Sequence, residues 1–254
     1  SKSFGGAISN YVYTEELVST LNIGTIAGKF TGNYALATKS GSSSYGGAIS
    51  NYLAVDKNSV RMTIDSISGE FKNNYAKATN AYGGAISNRV TSGSSLTIGS
   101  ITATFTGNYA EGTDSKGGAI YNNNTTITTI NSTFKSNRAL MGGGIYNSGT
   151  INDISTSIFE GNENSGLYNT GTITNVSATF TDNSATNGGA IFNSKNIGTI
   201  TGTFTGNSAN VGGAIYNTGT ITNLSNSTFE NNNGSAIYNT NSIGVITANF
   251  TGNS

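Results

Sequence analysis

Residues 204–217 read Phe204-Thr205-Gly206-Asn207-Ser208-Ala209-Asn210-Val211-Gly212-Gly213-Ala214-Ile215-Tyr216-Asn217. They hold two signatures, a Phe-x-x-Asn block and a Gly-Gly-Ala-Ile-x-Asn block. The first occurs nine times, at Phe30, Phe71, Phe105, Phe134, Phe159, Phe180, Phe204, Phe229 and Phe250. The second also occurs nine times, in full or varied form, with its branched apolar residue at Ile8, Ile49, Ile86, Ile120, Ile145, Leu167, Ile191, Ile215 and Ile237. The two alternate strictly, and from the fourth block onward the period settles at 21 to 25 residues. Such a period marks a solenoid, whose units bury their apolar faces only by stacking on one another.

Within a unit the apolar residues define strands. Val176, Ala178 and Phe180 are two apart and so share one strand face, as do Ile200-Gly202-Phe204, Ile246-Ala248-Phe250 and Ile26-Gly28-Phe30. Large, small, large inward residues let neighbouring layers interdigitate. The spacing of three from Ile173 to Val176 breaks the alternation, so the chain bends there. In Ile215-Tyr216-Asn217 the Ile and Asn point inward and the Tyr outward. Three short strands per unit predict an all-β, right-handed single-stranded parallel β-helix of about nine coils, roughly 40 Å long at about 4.8 Å per coil.

Equivalent residues then stack into a Phe column and two Asn columns, Asn10 to Asn239 and Asn33 to Asn253. Amides so placed can hydrogen-bond along the axis and satisfy buried corners, while stacked Phe rings add burial. The absence of Pro agrees, since a proline inside a parallel sheet loses a ladder bond. Residues 1–254 are expected to form one domain, with long insertions over 1–120 and regular short coils over 121–254. The insertions fall at 11–22, 52–62 and 89–96 on one corner, and at 34–45, 75–82 and 109–116 on another. Insertions gathered on one side of a solenoid can form its binding face.

Composition excludes much. The 254 residues carry 12 basic and 12 acidic side chains and no Pro, Cys, His or Trp. Without His or Cys there is no Ser-His-Asp triad, no Cys nucleophile, no zinc site and no haem ligation of the usual kind, and no cofactor is expected. Zero net charge argues against nucleic acid or an anionic membrane as partner. No apolar run approaches the ~18 residues of a transmembrane helix. A polysaccharide lyase or hydrolase needs clustered carboxylates, yet the five Asp (Asp56, Asp65, Asp114, Asp153, Asp182) are scattered. Glu70 beside Lys29, and Lys135 beside Glu160, read as ladder ion pairs. Glu15, Glu16, Glu111 and Asp114 read as solvated loop residues. No catalytic or metal-binding residue is therefore expected. Outward Thr in Thr126-Ile-Thr128, Thr172-Ile-Thr174 and Thr220-Ile-Thr222 suggest an ice-binding array, but Asn196/Gly198 and Ser242/Gly244 interrupt it.

The alternating blocks, spanning Gly5 to Asn253, resemble the repeats of chlamydial-type polymorphic outer-membrane proteins. More broadly they resemble β-helical autotransporter passengers and bacterial surface adhesins. The resemblance implies a secreted, extracellular or cell-surface β-helix that adheres or assembles. This chain departs from the pattern in having no Cys.

The end of a β-helix exposes a rung of unpaired backbone groups above an open core, and solenoids normally cap it. Only four residues precede Gly5 and one follows Asn253, so the expectation is that neither end carries a cap. If the last residues ran on into the first, Gly5 would follow Asn253 by six positions, against five from Asn207 to Gly212. Residues 1–138 hold eleven basic and seven acidic groups, and 139–254 one and five, so the halves carry +4 and −4. The expectation is a filament of copies stacked head to tail, a contact that does not close. The first rung (Phe4, Gly5, Gly6, Ala7, Ile8, Ser9, Asn10) and the last (Ile246, Ala248, Phe250, Asn253) would carry it. The alternative is a fragment of a monomeric surface adhesin whose flanking segments supply the caps. An outward stripe of Tyr121, Tyr146, Tyr168, Phe192, Tyr216 and Tyr238 is a candidate binding surface for host or cell-surface glycans or proteins. The plainer reading of the stripe is cross-strand packing.

Overall fold

The computed structural model describes residues 1–13, 20–54, 60–91 and 93–254. Glu15, Glu16, Asp56 and parts of the insertions at 11–22, 52–62 and 89–96 lie outside the described residues. Among the described residues every regular element is a β-strand, and the sheets are built from parallel pairs. Two sheets run the length of a parallel β-helix. One has nine strands, from Ile8–Val12 to Ile237–Asn239, and the other ten, from Thr20–Thr31 to Ser242–Thr251. Strand order follows chain order, so each coil lies on the one before it.

The repeat blocks dictate this stacking. Phe30 pairs with Phe71, Phe71 with Phe105, and so on to Phe229 with Phe250. Their rings form a column with centroids 4.6–5.0 Å apart. Phe71 through Phe229 are wholly buried. The paired glycines answer two demands. Gly212 takes φ 65°, while a Cβ on Gly213 would stand 2.2 Å from the Asn233 carbonyl oxygen of the next coil. Where three short strands were expected, the second and third often merge into one, as in Thr172–Thr181. That strand bends where pairing passes from Ile173–Ile197 to Asn175–Thr199 and skips Thr174.

The insertions at 34–45, 75–82 and 109–116 are not simple loops. Tyr34–Leu36, Tyr75–Lys77 and Tyr109–Glu111 make a three-stranded sheet. Lys2–Phe4, Ser43–Tyr45, Asn80–Tyr82 and Asp114–Lys116 make a four-stranded one. Successive insertions leave the coil at the same corner, so their backbone groups find partners in the next coil. Ala76, Ala81, Ala110 and Ala139 form a small core of their own beneath them. Glu111 and Asp114, expected in solvated loops, therefore sit on strands. At the other corner Leu53, Met62, Val90 and Leu96 are nearly fully buried and enlarge the main core.

The short coils carry a longer rhythm. Residues 149–169 and 219–239 align without a gap, 70 positions apart. Both have a register shift, at Ser155/Ser157 and Ser225/Ser227, and a left-handed residue there, Thr156 (φ 48°) and Asn226 (φ 50°). Both also turn from Asn to the next apolar strand in five residues (Asn162 to Leu167, Asn232 to Ile237), against eight from Asn183 to Ile191. The shorter turn leaves a notch of about 190 Å³ between Leu140, Asn164, Tyr168 and Phe192.

Candidate functional site

The stripe from Tyr121 to Tyr238 is a continuous ring stack, with centroids 4.2–5.6 Å apart. Its exposure is graded. Tyr121 and Tyr146 are only 8% and 9% exposed, Tyr168, Phe192 and Tyr216 half-buried, and Tyr238 40% exposed. Stacked rings cover each other's faces, so along the column only edges and hydroxyls meet solvent.

The column does not stop where the stripe does. Tyr121 stacks on Tyr82 at 4.8 Å, Tyr82 on Tyr45 at 5.3 Å and Tyr45 on Phe4 at 5.3 Å. Coils with Ser9, Ser50 and Ser87 in the stripe position thus receive their ring from another strand, the one just before Gly-Gly. The signal was present: Phe4, Tyr45 and Tyr82 each precede a Gly-Gly pair, but an alignment by equivalent positions keeps the two sets apart. Arg89 supports the crossing, its guanidinium 5.1 Å from the Tyr45 ring and 4.9 Å from Tyr52, and donating to the Tyr45 hydroxyl at 2.6 Å.

A polar cluster marks the hand-over. The Tyr82 hydroxyl donates to Asp114 Oδ2 at 2.7 Å, and Lys116 Nζ lies 2.9 Å from Asp114 Oδ1. Burial, then the bond to Asp114, push the Tyr82 phenol above its usual range, and burial does the same to Tyr121. Burial also acts to raise Asp114, but the bonds from Tyr82 and Lys116 and the lysine charge outweigh it, and the carboxyl falls below its ordinary value. A depressed carboxyl contributes stability that is present above the unfolded value, near pH ~4, and is lost as pH falls through the folded value. Asp114→Asn should therefore cost about 1 kcal/mol or less near neutrality. The difference from wild type in thermal unfolding should shrink towards zero in strong acid; a gap that persists there would contradict the assignment.

The other carboxylates are paired or dispersed. Glu160 lies 2.7 Å from Lys135, Glu111 2.7 Å from Lys77, and Glu70 4.0 Å from Lys29. Among the described residues no three His, Cys, Asp or Glu gather as metal ligands do.

The two Asn columns differ. From Asn33 to Asn253 every amide Nδ2 donates to the Oδ1 of the next coil's Asn at 2.9–3.0 Å. The same Nδ2 also donates back to a Phe carbonyl, as Asn162 does to Phe134 at 2.9 Å. The column from Asn10 to Asn239 runs the same way but breaks once. Asn122 Oδ1 accepts from the Thr125 hydroxyl, and the buried Asn88 Nδ2 is left without a partner. This break falls where wide coils give way to narrow ones.

The end rungs look different from the middle. Gly5 donates its N–H to Tyr45, Gly6 to Gly47, and Ala7 and Ile8 to Ala48, so these four groups face inward to the second coil. Asn10 donates to Asn51 at 2.8 Å, Phe4 and Ile8 are half-buried, and Ser9 is exposed. At the other end Val245, Ile246 and Phe250 are 50–52% exposed, whereas Leu224 and Phe229 one coil earlier are wholly buried. Ala248 and Asn253 are half-buried. Among the described residues no helix is long and apolar enough to cross a membrane.

These features define a stacked-repeat parallel β-helix with ladders of Phe, Tyr and Asn. The model of the Chlamydia polymorphic membrane protein repeat matches residues 102–123, 177–194 and 201–218. Each matched stretch holds one Phe-x-x-Asn block and the Gly-Gly-Ala-Ile-x-Asn block that follows, so the chain carries this repeat at three places. Neither a curated protein nor a solved structure matches the chain.

Proposed function

We propose that this chain is a surface-displayed, passenger-like structural β-helix, adhesive or scaffolding rather than catalytic. We further propose that its coils extend by head-to-tail stacking of copies into a filament. The repeat match supports the surface assignment. The observation that carries the stacking is the direction of the Asn ladders. Each backbone N–H of the unbroken column donates towards the C-terminal side, and each Nδ2 donates both forward to the next Asn Oδ1 and back to a Phe carbonyl of the previous coil. Asn253 therefore offers donors to the unused Oδ1 of a copy's Asn33, whose own Nδ2 would reach back to Phe250. Head-to-tail contact continues both sets of bonds in register, whereas head-to-head or tail-to-tail contact does not repeat the ladder. Backbone groups donate both ways along the ladder, and among those that donate forward is the N–H two residues past each Phe, as Asn231 does to Thr251, which leaves the Gly252 N–H for Thr31 of a copy. The charge split of +4 over residues 1–138 and −4 over 139–254 favours the same pairing.

Concentrated purified chain should show filaments about one β-helix wide in negative-stain micrographs, lengthening with concentration. The competing reading is a stretch of a longer monomeric passenger, whose next coils belong to the same chain. A chain that scatters light as a single subunit at every concentration would favour it and end the filament proposal.

A further inference from the structure

With no cysteine, this chain has no disulfide with which to tie one coil to the next. At one exposed corner it has a stack of phenols instead. Tyr34, Tyr75 and Tyr109 begin three successive strands paired in register. Their rings are close to parallel, at 10° and 5°, with centroids 5.2 and 5.0 Å apart. Tyr34 is 55% exposed and the other two half-buried. The Arg138 guanidinium, 5.5 Å from the Tyr109 ring, closes the C-terminal side of the stack.

One thing sets this stack apart from the long ring column. Its edges are open, whereas Tyr121 and Tyr146 are under 10% exposed. Its members come from coils 41 and 34 residues apart, so a bond between them closes a long loop. The chain also lacks Trp, Cys and His. Exposed phenols are therefore its main targets for one-electron oxidation.

We propose that Tyr34, Tyr75 and Tyr109 form an oxidative cross-linking site, at which an oxidant of the haem-peroxidase class, acting with hydrogen peroxide, joins neighbouring coils through a dityrosine bond. Each of two adjacent phenols loses one electron and its hydroxyl proton to become a phenoxyl radical. The two radicals couple through their ortho carbons, forming one C–C bond. The hydrogen on each coupled carbon then moves to its oxygen and restores both phenols. Net, two ring C–H bonds break and two electrons and two protons leave, and one hydrogen peroxide takes them up as two waters. The parallel stack holds like ring edges on the same side. An outer ring swings about its side-chain torsions to bring one ortho carbon onto its neighbour. Tyr75, in the middle, belongs to either possible link.

The test is to treat dilute full-length chain with a haem peroxidase and hydrogen peroxide. The expected product is monomer-sized and fluoresces as dityrosine. Its digest should contain a peptide pair joining Tyr75 to Tyr34 or Tyr109. Closing a loop of 34 or 41 residues should raise the unfolding midpoint by about 5–10 °C. Tyr75→Phe keeps the ring and the stack but should lose the linked peptide and the midpoint shift. The proposal is overturned if no dityrosine forms, or if the link maps to Tyr11, Tyr13 or Tyr238. It is equally overturned if product appears only between molecules, or if Tyr75→Phe retains the signal. None of these readouts depends on filament formation.

Discussion

Asn162→Ala will destabilise the β-helix by about 4 kcal/mol or more, because several buried polar groups lose partners at once. The Asn162 Oδ1 accepts from both the backbone N–H and the Nδ2 of Asn137 at 3.0 Å, and its Nδ2 donates to Phe134 O and Asn183 Oδ1 at 2.9 Å. Asn137, Asn162 and Asn183 are wholly buried, so water cannot replace these bonds without entering the coil. Stability in a solenoid is a sum of units and the interfaces between neighbours. The lost interface lies mid-column, so urea unfolding followed by circular dichroism should weaken and separate into two steps. Asn175→Ala, at an exposed position, should stay within about 0.5 kcal/mol of wild type. A loss under about 1 kcal/mol at Asn162 would mean that the ladder contributes packing but not hydrogen-bond energy.

Ile246→Lys is expected to abolish end-to-end growth while leaving the subunit folded. Ile246 is 51% exposed in the single chain, so a lysine there keeps its head in water. On the proposed stacking the same position lies against Ile26 of the next copy, where an unpaired ammonium would be buried. That burial costs at least about 3 kcal/mol, a loss of ~100-fold or more in association. Sedimentation should then give one subunit-sized species with an unfolding midpoint close to wild type. Filaments that persist in this variant would place growth elsewhere. A proline at Ile8 is a poorer probe, because the Ile8 N–H donates to Ala48 within the chain and its loss weakens the subunit itself.

Much of the fold is legible in the sequence. A residue that returns once in every repeat unit must stack on its own kind in a solenoid, so the Phe column and the Asn33–Asn253 ladder follow from the order of the blocks, even where insertions stretch the first intervals to 41, 34 and 29 residues. The candidate site was less legible. By equivalent positions the stripe begins at Tyr121, because Ser9, Ser50 and Ser87 occupy its earlier positions. Phe4, Tyr45 and Tyr82 fill those coils from another strand, and nothing in the period predicts that. Similarly, the sequence places the insertions at 34–45, 75–82 and 109–116 on one corner without showing that they pair strand by strand and bring Tyr34, Tyr75 and Tyr109 into one stack.

The sequence by itself therefore determined the β-helix, its repeat and the residues that stack by equivalence, because a translational repeat turns sequence spacing into spatial adjacency. The tertiary structure alone decided the contacts between non-equivalent positions: Tyr82 upon Tyr121, the Asp114 carboxylate between Tyr82 and Lys116, and the Thr125 hydroxyl on Asn122 Oδ1 that leaves Asn88 Nδ2 without a partner. Those depend on how far an inserted segment folds back across its coil. That distance is set by packing and strand pairing in three dimensions, and no periodicity records it.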